Sequence, residues 1–452
     1  MLATTMSPAP DSRAEFAAST GRYVGWRDGD VVRVQGIRYA TAERFRLPVP
    51  VPASADTIPA WTPSPACPQP LAPSDLLMEG LAAEVAYDED CLRLSITRPA
   101  DVPAREQLPV IVWIHGGSYV SGGGDLPVYD AAALVREQSV LVVTVTYRLG
   151  VLGFLGGADR PANLGLLDQL EALRWIAENI AAFGGDPKRV TVAGESSGAD
   201  SIAHLLLSPA ASGLFARVIL QSAPLGLRSG RGRMSRAMAR AAGAMDATTP
   251  LRLLESAQAR AERSALRFGF RGGMPFGPQY GAAPLPAEGD AEAAWRRAAP
   301  GLDALIGWTA EETSLFATVS PALRRLFRLP GVRRLRPLTV RLTTDRVYRR
   351  DGRRFATLLA EAGARVTEYE LDWQPTGSPM GAAHTVDLPL LFPAQRWVGA
   401  VSVGTADLRD LVAHGTELRR VWAEFARTGS VPALSPPTSD GAPRLALRRL
   451  RR

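Results

Sequence analysis

The stretch TVAGESSGAD, Thr191 to Asp200, sets a serine between two glycines directly behind an apolar run of strand character. Gly194-x-Ser196-x-Gly198 is the spacing of a strand-to-helix turn that holds a serine hydroxyl out at the top of a sheet. Small residues on either side let strand, turn and helix approach without side-chain clashes. A pentapeptide of this kind also arises by chance as a tight turn with an incidental serine. The flanking sequence has to decide between the two.

Outward from this point, strand-like and helix-like blocks alternate. LPVIVWIH (Leu108 to His115) and VLVVTVTY (Val140 to Tyr147) are short apolar runs with stops behind them. NLGLLDQLEALRWIAENIAAFGG places Leu166, Leu170, Leu173 and Ile176 at helical spacing and ends at Gly184-Gly185. KRVTVAG leads into the serine turn, which should start a helix, and ARVILQS (Ala216 to Ser222) follows as the next strand. LDALIG and ARVTEYEL read as later strands, and LRDLVAHGTELRRVWAEFARTG as a terminal amphipathic helix. This alternation predicts an α/β fold with a mainly parallel sheet covered on both faces. Between Arg228 and Ala299 the pattern is helical with no clear strand, as expected of a helical insertion over the active site (residues 228–299). The reading is one catalytic domain over residues 20–435, a disordered extension over 1–19 and a basic tail over 436–452. The proline-rich stretch PVPVPASADTIPAWTPSPACPQPLAP holds Trp61 and a cysteine and reads as an ordered meander.

The 452 residues are 46% apolar and 21% charged, the composition of a globular protein with material for a large core. No apolar run reaches membrane-spanning length. The N-terminus shows no basic region followed by an apolar one, so a cytoplasmic location is expected, or a secreted one if the chain is a trimmed mature form. The net charge of +7 comes from arginine, since Lys188 is the sole lysine. Arginines cluster at Arg324 to Pro337 and in the tail LRRLRR (Leu447 to Arg452). No nucleic-acid motif accompanies them, so they are expected to be a solvated helix face and a frayed end, with neither nucleic acid nor membrane as partner. A monomer or weak homo-oligomer is expected. Cys67 and Cys91 are too few for a metal cage and leave open a loop-closing disulfide and a pair of free thiols.

A serine hydroxyl becomes a useful nucleophile only beside a base and under donors for the developing oxyanion. HGGSYVSGGG follows the strand ending at Ile114, where a glycine-rich loop can turn backbone N–H groups inward. Four histidines compete for the role of base. His115 belongs to the glycine loop, His204 lies behind the serine turn, and His414 sits in the terminal helix. His384, in a loop after the last strand, stands in the position that follows the acid in such chains. The acid should lie between serine and histidine at a strand end, where LIGWTAEETSLF offers Glu311 and Glu312.

With these residues in place, the chain resembles the type-B carboxylesterases, the cholinesterase-like branch of the α/β-hydrolases, in particular the bacterial para-nitrobenzyl-esterase-like members. The resemblance runs from about Thr20 to Thr428 and rests on GIRYA, EDCLRLSI, VWIHGGSYVSG, TYRLGVLGFL, NLGLLDQLEALRWIAENIAAFGGDPKRVTVAGESSGA, LFARVILQS and WAEFARTG. It implies Ser196 as nucleophile, His384 as base and Glu312 as acid. It further implies the N–H groups of Gly117, Ser118 and Ser197 as oxyanion donors, Glu195 and Ser222 as a buried polar pair behind the triad, and a Cys67–Cys91 disulfide. The implied activity is serine carboxylesterase chemistry through an acyl-enzyme on a small-molecule ester, with neither cofactor nor metal. Acyl transfer by the same triad and a non-catalytic binding role are the alternatives. Three departures stand out. Ser197 replaces the usual alanine, Thr313 replaces the usual glycine, and the Cys67–Cys91 loop lacks the tryptophan that would hold a choline cation.

Overall fold

The structure, a computed structural model, describes residues 9–70, 84–103, 106–157, 160–434 and 443–450. Twelve strands make the main sheet: β1 Arg13–Ala18, β2 Gly21–Asp28, β3 Val31–Arg38, β4 Thr57–Pro59, β5 Arg93–Pro99, β6 Leu108–Ile114, β7 Leu141–Val145, β8 Gly185–Glu195, β9 Arg217–Gln221, β10 Asp303–Thr309, β11 Arg365–Asp372 and β12 Arg444–Arg449. Their order is β1-β2-β3-β5-β7-β6-β8-β9-β10-β11-β12, with β4 beside β2. From β7 to β11 every pairing is parallel. Antiparallel pairs flank this centre at both edges.

Strands β6, β7 and β10 are buried along their whole length, which is why they read as largely apolar runs. Alternate residues of one strand serve opposite faces. On β6, Val110, Val112 and Ile114 join the core shared with helices α2 (Leu164–Asn179) and α3 (Ser197–Leu205). Ile111 and Trp113 join the core beneath α1 (Ala132–Gln138) and α12 (Leu408–Thr428). Helix α12 is fixed at both ends, by an Asp407/Asp410 capping box and by Gly429 in the left-handed region.

Between β9 and β10 lie α4 (Gly232–Ala242), α5 (Leu251–Ala265) and α6 (Ala291–Ala298), within the stretch expected to be helical. A second helical stretch follows β10: α7 (Ser314–Val319), α8 (Pro321–Leu326), α9 (Pro330–Arg333), α10 (Arg336–Thr344) and α11 (Arg350–Glu361).

Two expectations about the ends are corrected. Residues 13–18 of the anticipated disordered extension form β1, paired residue for residue with β2 from Arg13–Trp26 to Ala18–Gly21. Residues 444–449 of the anticipated loose basic tail form β12, antiparallel to β11. Leu445 and Leu447 alternate onto the face that packs on the core beneath α1 and α12, while Arg444 and Arg448 project from the opposite face.

Candidate active site

Strands β6, β8, β9, β10 and β11 are neighbours in the sheet, and their carboxyl ends carry, in that order, the glycine loop, Ser196, Ser222, Glu312 and the loop holding His384. Residues more than 250 positions apart in sequence therefore meet along one edge.

Ser196 sits between β8 and α3 with φ 54° and ψ −123°, a strained setting for a residue with a β-carbon that costs on the order of 1–3 kcal/mol. Its N–H donates to Gln221 O on β9 at 2.9 Å. Gly198 is obligatory here, because a β-carbon would stand 2.1 Å from Ile114 O. In the glycine loop, Gly117 (φ 109°) and Ser118 (φ 55°) have positive φ, and neither N–H donates to a backbone carbonyl among the described residues. Gly117 has no room for a side chain either, with Ser121 O 2.0 Å from where a β-carbon would be. Ser197 opens α3, where backbone N–H groups lack intrahelical acceptors.

His384 Nε2 lies 2.9 Å from Ser196 Oγ, and its Nδ1 lies 2.6 Å from Glu312 Oε2. Glu312 is fully buried, and its Oε1 accepts the Thr309 N–H at 2.8 Å. Glu195 Oε1 approaches His384 Nε2 at 3.1 Å, so this nitrogen faces both the serine and a second carboxyl. Burial pushes the His384 imidazole down, but Glu195 and Glu312 together outweigh it and bring it from the ordinary 6.5 to about 9. Burial raises the Glu195 carboxyl to about 8, only partly opposed by His384. The two groups titrate as a pair, each holding a proton that affects the other.

Glu311 does not point idly into solvent, as a mere neighbour of the acid would. Its N–H donates to Ala382 O at 2.8 Å and its Oε2 accepts the Ala382 N–H at 3.3 Å, clamping the loop that carries His384. Thr313, the residue in place of glycine, ties the acid's segment to α10 through Val340 O at 3.0 Å and Thr343 Oγ1 at 2.6 Å.

Three further contacts support the site. Tyr119 Oη donates to Asp200 Oδ2 at 2.6 Å, and the Tyr119 N–H donates to Ser197 Oγ at 3.3 Å. The glycine loop is thus pinned at two points to the helix behind the serine. Gln221 Nε2 donates to Asp387 Oδ2 at 2.7 Å beneath His384. Asp200 stands one helical turn beyond Ser196 and Asp387 three residues beyond His384, spacings that sequence inspection could have flagged.

Glu195 and Ser222 are both buried, yet the Ser222 hydroxyl has no partner among the described residues, so no hydrogen bond joins this pair. His115 is structural: its Nδ1 lies 2.8 Å from Gly116 O, its ring stacks on Tyr147, and burial lowers it to about 4. His204 is likewise buried, with Nδ1 2.7 Å from Asp200 O. Cys67 and Cys91 are buried with free thiols, and the Cys67 thiol, ahead of burial, raises the Cys91 pKa. Residues 71–83 of their loop lie outside the described residues. The aromatic rings nearest His384 come from the second helical stretch, with centroids 5.1 Å away for Tyr348 and 6.1 Å for Phe316.

A sheet of this order with a serine in a strained turn defines the class: a serine ester hydrolase of the α/β-hydrolase fold. Comparison with known proteins narrows it. The profile of the carboxylesterase family matches residues 13–325. A probable N-octanoylanthranilate hydrolase of Rhodococcus erythropolis is 37% identical over 424 residues, covering 92% of this chain and 93% of that one. The para-nitrobenzyl esterase of Bacillus subtilis is 33% identical over 91% of this chain and 89% of its own. Among solved structures, a thermophilic para-nitrobenzyl esterase superimposes with a TM-score of 0.76 at 31% identity, covering 93% of this chain and 92% of the other. The chain belongs to the carboxylesterase family.

Proposed function

We propose that the chain hydrolyses carboxylic esters through a covalent acyl-enzyme, with Ser196 as nucleophile, His384 as general base and acid, and Glu312 as the carboxylate that orients the imidazole. The observation that carries this reading is the unbroken relay from Ser196 Oγ to His384 Nε2 at 2.9 Å and from His384 Nδ1 to Glu312 at 2.6 Å. As Ser196 Oγ bonds to the ester carbonyl, His384 Nε2 takes its proton. The negative charge on the carbonyl oxygen falls to the N–H groups of Gly117, Ser118 and Ser197. The imidazolium, stabilised by Glu312, then protonates the departing alcohol. Water repeats the sequence on the acyl-serine, giving its proton to His384 and releasing the carboxylic acid.

Relatives named for para-nitrobenzyl esters and N-octanoylanthranilate make acyl groups on aromatic leaving groups the first substrates to try. A fluorophosphonate probe tests the reading. It should label Ser196 in the native chain and not in the unfolded one, because activation depends on the folded relay. Equal labelling of both, or none of either, counts against it.

A further inference from the structure

Residues 313–344 hold seven arginines and no aspartate, glutamate or lysine. Seven of the seventeen exposed large apolar side chains of the described residues fall in this same stretch: Phe316, Leu323, Leu326, Leu329, Leu335, Leu338 and Leu342. Leu329, Leu335, Leu338 and Leu342 are each 53% exposed or more. Between Leu323 and Leu338 the leucines recur at steps of three, with Val332 completing the series and arginines interleaved. Of the arginines, only Arg336 is used internally, donating to Ser314 Oγ at 2.9 Å and Pro379 O at 3.2 Å. Arg324, Arg325, Arg328, Arg333, Arg334 and Arg341 are exposed and have no ion-pair partner among the described residues. A solvated helix face has no use for so many bare leucines, and exposed apolar clusters of this kind mark interaction surfaces.

The stretch is also tied to the reactive centre. Phe316, 40% exposed, stacks toward the His384 ring, and Arg336 joins α7 and α10 to the loop before His384. The stretch that carries the exposed leucines therefore also reaches the histidine, through Phe316.

We propose that residues 316–342 form a docking surface for anionic lipid, which brings lipid-dissolved esters to the side of the molecule where Phe316 packs on His384. The substrate half of this inference rests on the esterase reading; the docking half does not. Short basic amphipathic helices with leucine and phenylalanine on one side lie in the interface of an anionic bilayer, apolar side chains among the acyl chains and arginines at the phosphates. A second copy of the chain is disfavoured, because a two-fold contact would set one arginine cluster against another. Nucleic acid would satisfy the arginines and leave the leucines in water.

Co-sedimentation of the full chain with vesicles tests the proposal. Vesicles containing about one-third phosphatidylserine should bind at least about tenfold more protein than pure phosphatidylcholine, and binding should weaken on raising salt from about 50 to about 500 mM. The L326S/L329S/L335S variant and the R324Q/R325Q/R328Q variant should each lose most of that binding while turning over a water-soluble ester as the parent does. Ser196→Ala should bind vesicles like the parent, which separates failure of docking from failure of the esterase reading. Hydrogen exchange of residues 321–344 in the unmodified chain, slowed by vesicles, gives a second readout that needs no variant. No binding at low salt overturns the proposal. So does equal binding to both vesicle types, a leucine-dependent dimer in sedimentation, or polyanion binding that survives the leucine changes.

Discussion

Replacing Glu312 by glutamine should disable the enzyme for a reason visible in its two oxygens. Oε1 accepts the Thr309 N–H and Oε2 faces His384 Nδ1, both inside a fully buried pocket. An amide has one acceptor and one donor end. Its oxygen must stay with the Thr309 N–H, since an NH2 there would leave two donors facing each other. The NH2 then points at His384 Nδ1, which has to become an acceptor, and the imidazole proton moves to Nε2. In that tautomer Nε2 cannot accept the Ser196 proton. Amide replacement at a serine-protease triad carboxylate lowers kcat by about 10⁴, so a loss of about 10³ to 10⁴, or roughly 4–5.5 kcal/mol of barrier, is expected here. Glu311→Gln keeps an acceptor for the Ala382 N–H and should hold kcat within about threefold. Both variants are measured at saturating para-nitrophenyl acetate, with melting curves to confirm folding. A folded Glu312→Gln protein within about tenfold of the parent, or a crippled Glu311→Gln, would refute the reasoning.

Ser197→Ala removes the acceptor for the Tyr119 N–H and one of two pins on the glycine loop; kcat should fall by roughly tenfold with KM little changed, and a rise in KM alone would contradict this role. Because the Glu195 charge stabilises the protonated imidazole, Glu195→Gln should shift the ascending limb of the kcat/KM profile to lower pH, and an unmoved limb would show that Glu195 does not reach His384 electrically. His384 and Glu195 both have folded pKa values above their ordinary ones, so the stability the pair contributes is present at low pH and is lost as pH rises through the range where the pair titrates, about 8 to 9. The parent's melting temperature should accordingly fall relative to Glu195→Gln between pH 7 and 9, and a constant difference would count against the shifts. Thiol titration without reductant should find two groups per unfolded chain and almost none in the native one; none in either would mean that Cys67 and Cys91 are bridged.

The central strands could be read from sequence because both their faces are buried, which leaves β6, β7 and β10 apolar but for Thr144, Asp303 and Thr309. Strand β12 is not legible locally, because half of RLALRR is arginine and its pairing depends on β11 being next to it. Ser196 and His384 were legible as a motif and by elimination, and Glu312 over Glu311 only through family resemblance. The clamp made by Glu311, the Tyr119–Asp200 contact and the Gln221–Asp387 contact were not, since each joins segments separated by 71, 81 and 166 residues and exists only once the sheet is assembled.

The central claim is a covalent intermediate on Ser196. Rapid mixing of the chain with a para-nitrophenyl ester, followed by acid quench and intact-mass analysis, tests it most directly. The account predicts a burst of about one para-nitrophenol per chain together with an acylated species that maps to Ser196, both abolished by Ser196→Ala. Full turnover by the Ser196→Ala protein, or an acyl group found on another residue, would contradict it.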